Sequence, residues 1–199
     1  MNRASSHPRQ LGVLAALGVL ALILAACGGG SPSASSTTTT STTPSRSTTS
    51  STQPTLSACT TAQLQVTAGL SSGAAGTIGQ VVLFENTSTT TCLLHAFPGV
   101  AGLDSSGNQL VQATRVVNLA PFSGSTASLP TVQLTPGSTG SALVLGSDVP
   151  VGAATSCVTY AALLVTPPNA LQSVHVDASL PGCSGLRVGP VYAGTTGMA

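Results

Sequence analysis

Lysine and tryptophan are absent from this 199-residue chain, and only 5% of its residues are charged and 3% aromatic. Without lysine there is no Walker A lysine, no Schiff base and no Ser-Lys dyad. Without tryptophan, and with only Phe84, Phe97, Phe122, Tyr160 and Tyr192, no aromatic platform for stacking sugars is evident. Over 57–199 the charges are Arg115 and Arg187 against Glu85, Asp104, Asp148 and Asp177, a net of −2. A row of phosphates needs clustered cations, so nucleic acid is excluded as a partner. Enzymes of this size generally gather ionisable side chains, and four acids with two arginines leave little to gather. Long amphipathic helices are lacking too, since no apolar stripe of helical period lasts ten residues.

What is present begins with an export signal. Residues 1–10 hold Arg3, His7 and Arg9 and no acid, and 11–26 is an apolar run. At sixteen residues it is short for a membrane span of about 20 but suits a signal h-region. It ends Leu24-Ala25-Ala26-Cys27, a branched apolar residue, two small ones and a cysteine. That pattern resembles the lipobox of bacterial lipoproteins, which implies cleavage after residue 26, acylation of Cys27 and attachment at the outer face of the cytoplasmic membrane. Two or three acyl chains anchor stably where one binds only reversibly. After Cys27 and three glycines, 31–57 is mostly Ser and Thr, broken by Pro32, Ala34, Pro44, Arg46, Gln53, Pro54 and Leu56, so 27–57 forms one Ser/Thr-rich segment. Such a segment cannot bury enough apolar area to offset its ordering entropy, so it is expected to be a disordered, lipid-anchored tether.

Residues 58–199 are read as one all-β domain. The stretch 81–110 organises it, with an apolar run Val81-Val82-Leu83-Phe84, a polar turn at 86–91, Cys92, a break at Pro98-Gly99 and a turn at 105–108. Strands are expected at 63–68, 80–86, 92–95, 100–104, 110–118, 141–146, 158–166, 172–178 and 186–192, with 69–79 as a Gly/Ser/Ala loop. Val132 and Leu134 point one way, and Pro136-Gly137 suits a type II turn. Many short strands separated by turns predict an antiparallel β-sandwich or barrel.

Five cysteines are present. With Cys27 acylated, an even set remains, and no C-x-x-C spacing suggests a metal, so disulfides are expected. Of three connectivities, Cys59–Cys92 and Cys157–Cys183 join the ends of local strand-loop-strand units, whereas the alternatives tie the first strands to the last.

The order of these features over about 59–192 resembles domain-of-unknown-function family 4232, found in actinobacterial lipoproteins. The residues that carry the resemblance are Cys59 with Leu64 and Val66, Leu83-Phe84-Glu85-Asn86-Thr87-Ser88, and Cys92 with Leu94. They continue through Phe97-Pro98-Gly99-Val100, Gly107, Leu134, Pro136-Gly137, Cys157, Leu163, Val165, Pro167-Pro168 and Cys183. Where the family shows Gly-Tyr-Pro-Gly after the second cysteine, this chain has Ala96-Phe97-Pro98-Gly99. The resemblance implies a secreted, immunoglobulin-like β-sandwich with a cysteine pair in each half, and it brings no catalytic residues.

Three local patterns touch on chemistry. Gly69-Leu70-Ser71-Ser72-Gly73 matches the nucleophile-elbow pattern, which works only between a strand and a helix, and no helix follows here. His175 and Asp177 stand at i and i+2 on one strand face, and with His95 they compose a two-His, one-carboxylate set for a metal or a general base. The competing reading is a solvent-facing strand side opposite Val174 and Val176. Asn86-Thr87-Ser88 fits a glycosylation acceptor but reads as a turn. The expectation is a non-catalytic binding module without cofactor, directed at an envelope protein or polysaccharide. The alternative is a metal-handling protein or hydrolase built on His95, His175 and Asp177.

Overall fold

A computed structural model describes residues 56–123 and 128–199. The expected leader, Cys27 and all but the last two residues of the expected tether lie outside them. After a 3-10 turn at Thr61–Gln63 comes a hairpin, β1 (Leu64–Ala74) and β2 (Thr77–Asn86). A short β3 (Cys92–His95) and β4 (Gly99–Leu103) follow, then β5 (Gln109–Gln112) and the two-residue β6 (Thr114–Arg115). The middle of the chain is β7 (Thr131–Leu134) and β8 (Thr139–Ser147). The rest is β9 (Thr159–Tyr160), β10 (Ala162–Thr166), β11 (Val174–Val176), β12 (Leu180–Pro181), β13 (Leu186–Val188) and β14 (Tyr192–Ala193). No α-helix occurs among the described residues.

The larger sheet runs β1-β2-β8-β13-β6, with β14 also paired to β8, and the second runs β11-β10-β4-β5. Two ribbons, β12–β9 and β3–β7, complete the set. Among the described strands every pairing is antiparallel except β13 with β6. Between the sheets lies one core. Val82, Phe84, Val144 and Val188 from the larger sheet share it with Val100, Leu163, Val165 and Val176 from the other and with Leu94 and Leu134 from the β3–β7 ribbon. The expected β-sandwich is what these strands build.

Continuous apolar sequence in β2 and β8 has a specific cause. Strands with one wet face alternate, whereas strands covered on both faces do not. Val82 and Phe84 face the inter-sheet core, while Val81 and Leu83 join Leu143 and Leu145 in a second cluster on the far side of the sheet. That outer cluster is roofed by Val116, Leu119, Phe122 and Met198. Phe122 N–H donates to Leu119 O at 2.9 Å, closing a turn that brings both side chains to the roof.

Both expected disulfides are formed. Cys59 and Cys92 have Cα atoms 4.9 Å apart, and Cys157 and Cys183 4.4 Å apart. The first bridge is inside the core, next to a backbone bond from Cys59 N–H to Leu93 O at 2.9 Å.

Four expectations of local structure are corrected. The runs 158–166 and 186–192 each divide in two, into β9 and β10 and into β13 and β14. Residues 69–79 are not a loop: β1 runs on to Ala74, turns through Ala75-Gly76, and returns as β2. The glycines there serve strand geometry. A Cβ on Gly79 would come within 3.1 Å of Leu143 and Phe122, so the roof packs closely on the bare backbone at that point. The run 110–118 is not one strand either. It leaves the smaller sheet at Ala113, whose N–H donates to Val100 O at 2.8 Å, and enters the larger one as β6 beside β13. Strands that switch sheets do so through such bends.

Candidate functional site

The three ionisable residues singled out from the sequence are not assembled. His175 and Asp177 do share a face at β11, with Nδ1 and Oδ1 3.5 Å apart, but the face is open to water, the side chains being 54% and 99% exposed. His95 ends β3 in a different sheet, and its Nδ1 lies 2.8 Å from the Thr131 hydroxyl directly across the ribbon. Among the described residues no three His, Cys, Asp or Glu side chains stand close enough to hold a metal ion. Topology explains this: among the described strands β3 pairs with β7 and β11 with β10, in separate sheets.

Ser71 sits within β1 opposite Gln80, exposed, in a strand that returns as another strand. The strained strand-to-helix turn that makes a serine nucleophilic is not built here. Asn86-Thr87-Ser88 is the turn it was read to be, with the Asn86 side chain fully buried and hydrogen-bonded. Asp104 closes the 104–108 turn. Its carboxylate accepts from the Asn108 side chain at 3.0 Å and from the Asn108 and Ser106 N–H groups at 2.8 Å. Those bonds, the Asn108 side chain first, hold its pKa below the ordinary value of 3.8.

The shaped features of the surface are neutral ones, which a search for reactive residues does not find. One is a groove of about 530 Å³ where the domain begins, between 57–61 and 169–172, with Leu171 standing 99% exposed at its rim. Another, of about 290 Å³, lies on the outer face of the larger sheet between Leu70, Ser72, Val81, Phe122, Leu143 and Met198. Beside it runs an edge of β1, whose ladder partner among the described residues is β2. A β-bulge shapes that edge. Ala68 opposes Val82 and Ser71 opposes Gln80, so Gly69 and Leu70 together face Val81. The buried Gln80 side chain donates to Gly69 O at 3.0 Å and to Val81 O at 2.9 Å, holding the bulge in place. The displaced Leu70 is 81% exposed.

A sequence model of the family described as "Domain of unknown function (DUF4232)" matches residues 59–192. The chain belongs to the DUF4232 family. The residues that carried the resemblance are, in this fold, scaffold: two cysteines in a core bridge, Asn86 beneath a turn, and Pro136-Gly137 at a turn where Gly137 has φ 77°. Ser138 N–H closes that turn on Thr135 O at 3.0 Å. Met198, which lines the outer groove, lies past the span matched to DUF4232. Searches of curated proteins and of solved structures found no match.

Proposed function

We propose that this DUF4232 protein is a cell-envelope lipoprotein. It is held at the outer face of the cytoplasmic membrane by acylated Cys27 and a tether over 27–57, and it displays the β-sandwich as a non-catalytic binding module for an envelope protein or polysaccharide. The observation that carries this reading is the use of the cysteines. Four of the five close two disulfides within the domain, which leaves Cys27, at the end of the apolar run, outside those bridges. Disulfides persist in exported domains, and a cysteine ending an h-region suits acylation. The separation of His95 from the His175–Asp177 pair, and the neutral lining of both grooves, favour recognition over reaction.

Mass spectrometry of the mature N-terminus tests the anchor: the expected product starts at Cys27 and carries acyl chains, and an unmodified terminus elsewhere overturns the reading. Turnover of esters, peptides or lactams is expected to be absent, and Ser71→Ala to change nothing. Robust hydrolysis lost in Ser71→Ala would reverse the choice of class.

A further inference from the structure

Of the sheet edges among the described residues, β1 is the longest, eleven residues against four in β5, three in β11 and two in β6. Exposed edges present unpaired N–H and C=O groups, and proteins usually blunt them with lysine, proline or charge. The chain has no lysine, and 64–74 contains no charge and no proline. The bulge is the protection left, and it ends at Leu70, so 71–74 continues beyond it, exposed at all but the last residue. Directly alongside lies the uncharged groove of Leu70, Phe122 and Met198. An edge and a neighbouring pocket together are the equipment of strand addition: backbone bonds supply affinity and a side-chain pocket supplies choice.

We infer that the occupant of this edge is β1 of a second copy of the same chain, paired antiparallel over 70–74 about a two-fold axis at Ser72. The edge and its groove are neutral and offer a charged strand no ion pair, whereas 64–74 is itself an uncharged strand free of proline and so matches the edge it would join. Such pairing is isologous and closes at two copies. A two-fold axis normal to the sheet keeps both outer faces on one side, so the exposed Leu70 side chains and the grooves beside them form one apolar surface across the seam. Five residues at about 3.4 Å each make a seam of roughly 17 Å. The area covered falls below the roughly 1,200 Å² of stable complexes, so association is weak between free molecules. The inference rests on the lipoprotein reading for its strength: copies anchored to one membrane by tethers of equal length meet at a raised effective concentration.

Cross-linking of the full, acylated chain in vesicles tests this. Ser72→Cys is expected to give a disulfide-linked dimer, since directly opposed strand residues have Cα atoms about 4.5–5.5 Å apart. Ser105→Cys, in an exposed turn, reports random collision, and Leu70→Lys places a charge on the edge at an exposed site. At least tenfold more dimer from Ser72→Cys than from Ser105→Cys, lost when Leu70→Lys is added, supports the pairing. Equal yields at the two sites, or a yield that Leu70→Lys leaves unchanged, overturn it, the second case assigning the contact to another surface. Flotation is scored separately. A chain that does not float fails the lipoprotein reading, and the same comparison in concentrated solution then decides the pairing. A chain that floats without selective cross-linking fails the pairing alone.

Discussion

Asn86, at the end of β2, donates from Nδ2 to Leu134 O at 2.9 Å, linking the larger sheet to the end of the β3–β7 ribbon from a fully buried position. The same Nδ2 reaches Thr90 O at 2.8 Å, and Oδ1 accepts from Ser88 N–H at 3.0 Å and its hydroxyl at 2.7 Å. Its main chain is equally engaged, with Gly137 N–H on Asn86 O at 2.7 Å. Two turns, 87–91 and 135–138, therefore lean on one amide. Substitution by aspartate removes the donor while keeping the size, leaving Leu134 O without that bond and a carboxylate facing carbonyls. Each unsatisfied buried group costs about 1–3 kcal/mol, so Asn86→Asp is expected to lose roughly 2–4 kcal/mol in urea denaturation at neutral pH. A change under 0.5 kcal/mol would show the amide to be dispensable.

The β1–β2 hairpin turns on Ala75 and Gly76, at φ 48° and 73°. Both central residues of a two-residue I′ turn need positive φ, which glycine and asparagine accept and alanine does not. Left-handed backbone costs a residue with a Cβ about 1–2 kcal/mol. Ala75→Gly, or Ala75→Asn, is expected to raise the denaturation midpoint by the equivalent of about 0.5–1 kcal/mol, the gain reduced for glycine by its freer unfolded chain. A loss of stability in both variants would contradict the turn.

Tyr160 lies between two glycines. A Cβ on Gly102 would approach its ring to 2.6 Å, and one on Gly182 would clash with the Cε2–Cζ edge and the hydroxyl. Gly102→Ala is expected to cost about 1–3 kcal/mol through overpacking, and Tyr160→Leu to relieve part of that in the double variant. Strict additivity of the two changes would break the link.

Burial also pushes the Tyr160 phenol above its ordinary pKa of 10.0. The unfolded chain ionises first, so this contribution to stability is complete below about pH 10 and declines as pH rises through the folded value. A spectrophotometric titration is expected to show a tyrosine step above pH 10 that vanishes in Tyr160→Phe. A titration unchanged by that substitution would refute the shift.

The bridges act independently, because each closes its own segment, 33 residues apart in one and 26 in the other. Cys92→Ser is expected to leave Cys59 reactive to alkylation in the unfolding range while Cys157 and Cys183 stay protected. In the chain-entropy picture the lost constraint is worth about 3–4 kcal/mol. A non-reducing peptide map joining Cys59 to Cys157 or Cys183 in this variant would reveal exchange between the halves.

Legibility in the sequence followed burial. Alternation exposed Leu64 and Val66, and Val132 and Leu134, as one-sided strands, and each pair is buried together. The cysteine partners were readable because proximity in a strand-loop-strand unit is local. Residues 69–79 misled because Gly, Ser and Ala are the composition of loops, whereas here they answer to a bulge and to close approach by Phe122. Splitting of 110–118 left no mark, since Ala113 differs little from its neighbours until the second sheet is in view. The outer groove was illegible for a further reason. Its walls come from Leu70, Phe122 and Met198, more than 120 positions apart at the extremes, and none of them is reactive.

Placement of β8 sets the timing of the molecule. It is bonded to β2 on one side and to β13 and β14 on the other, and its residues 140–146 are all buried. Its amides have no solvent-facing side from which to open, so they exchange with deuterium only when the whole domain comes apart. The two-residue pairing of β9 with β12 has no such shelter and is expected to exchange by local opening. A slow clock in β8 and a fast one in β9 would thus run in the same chain, and the ratio between them measures how much of the sandwich melts as a unit.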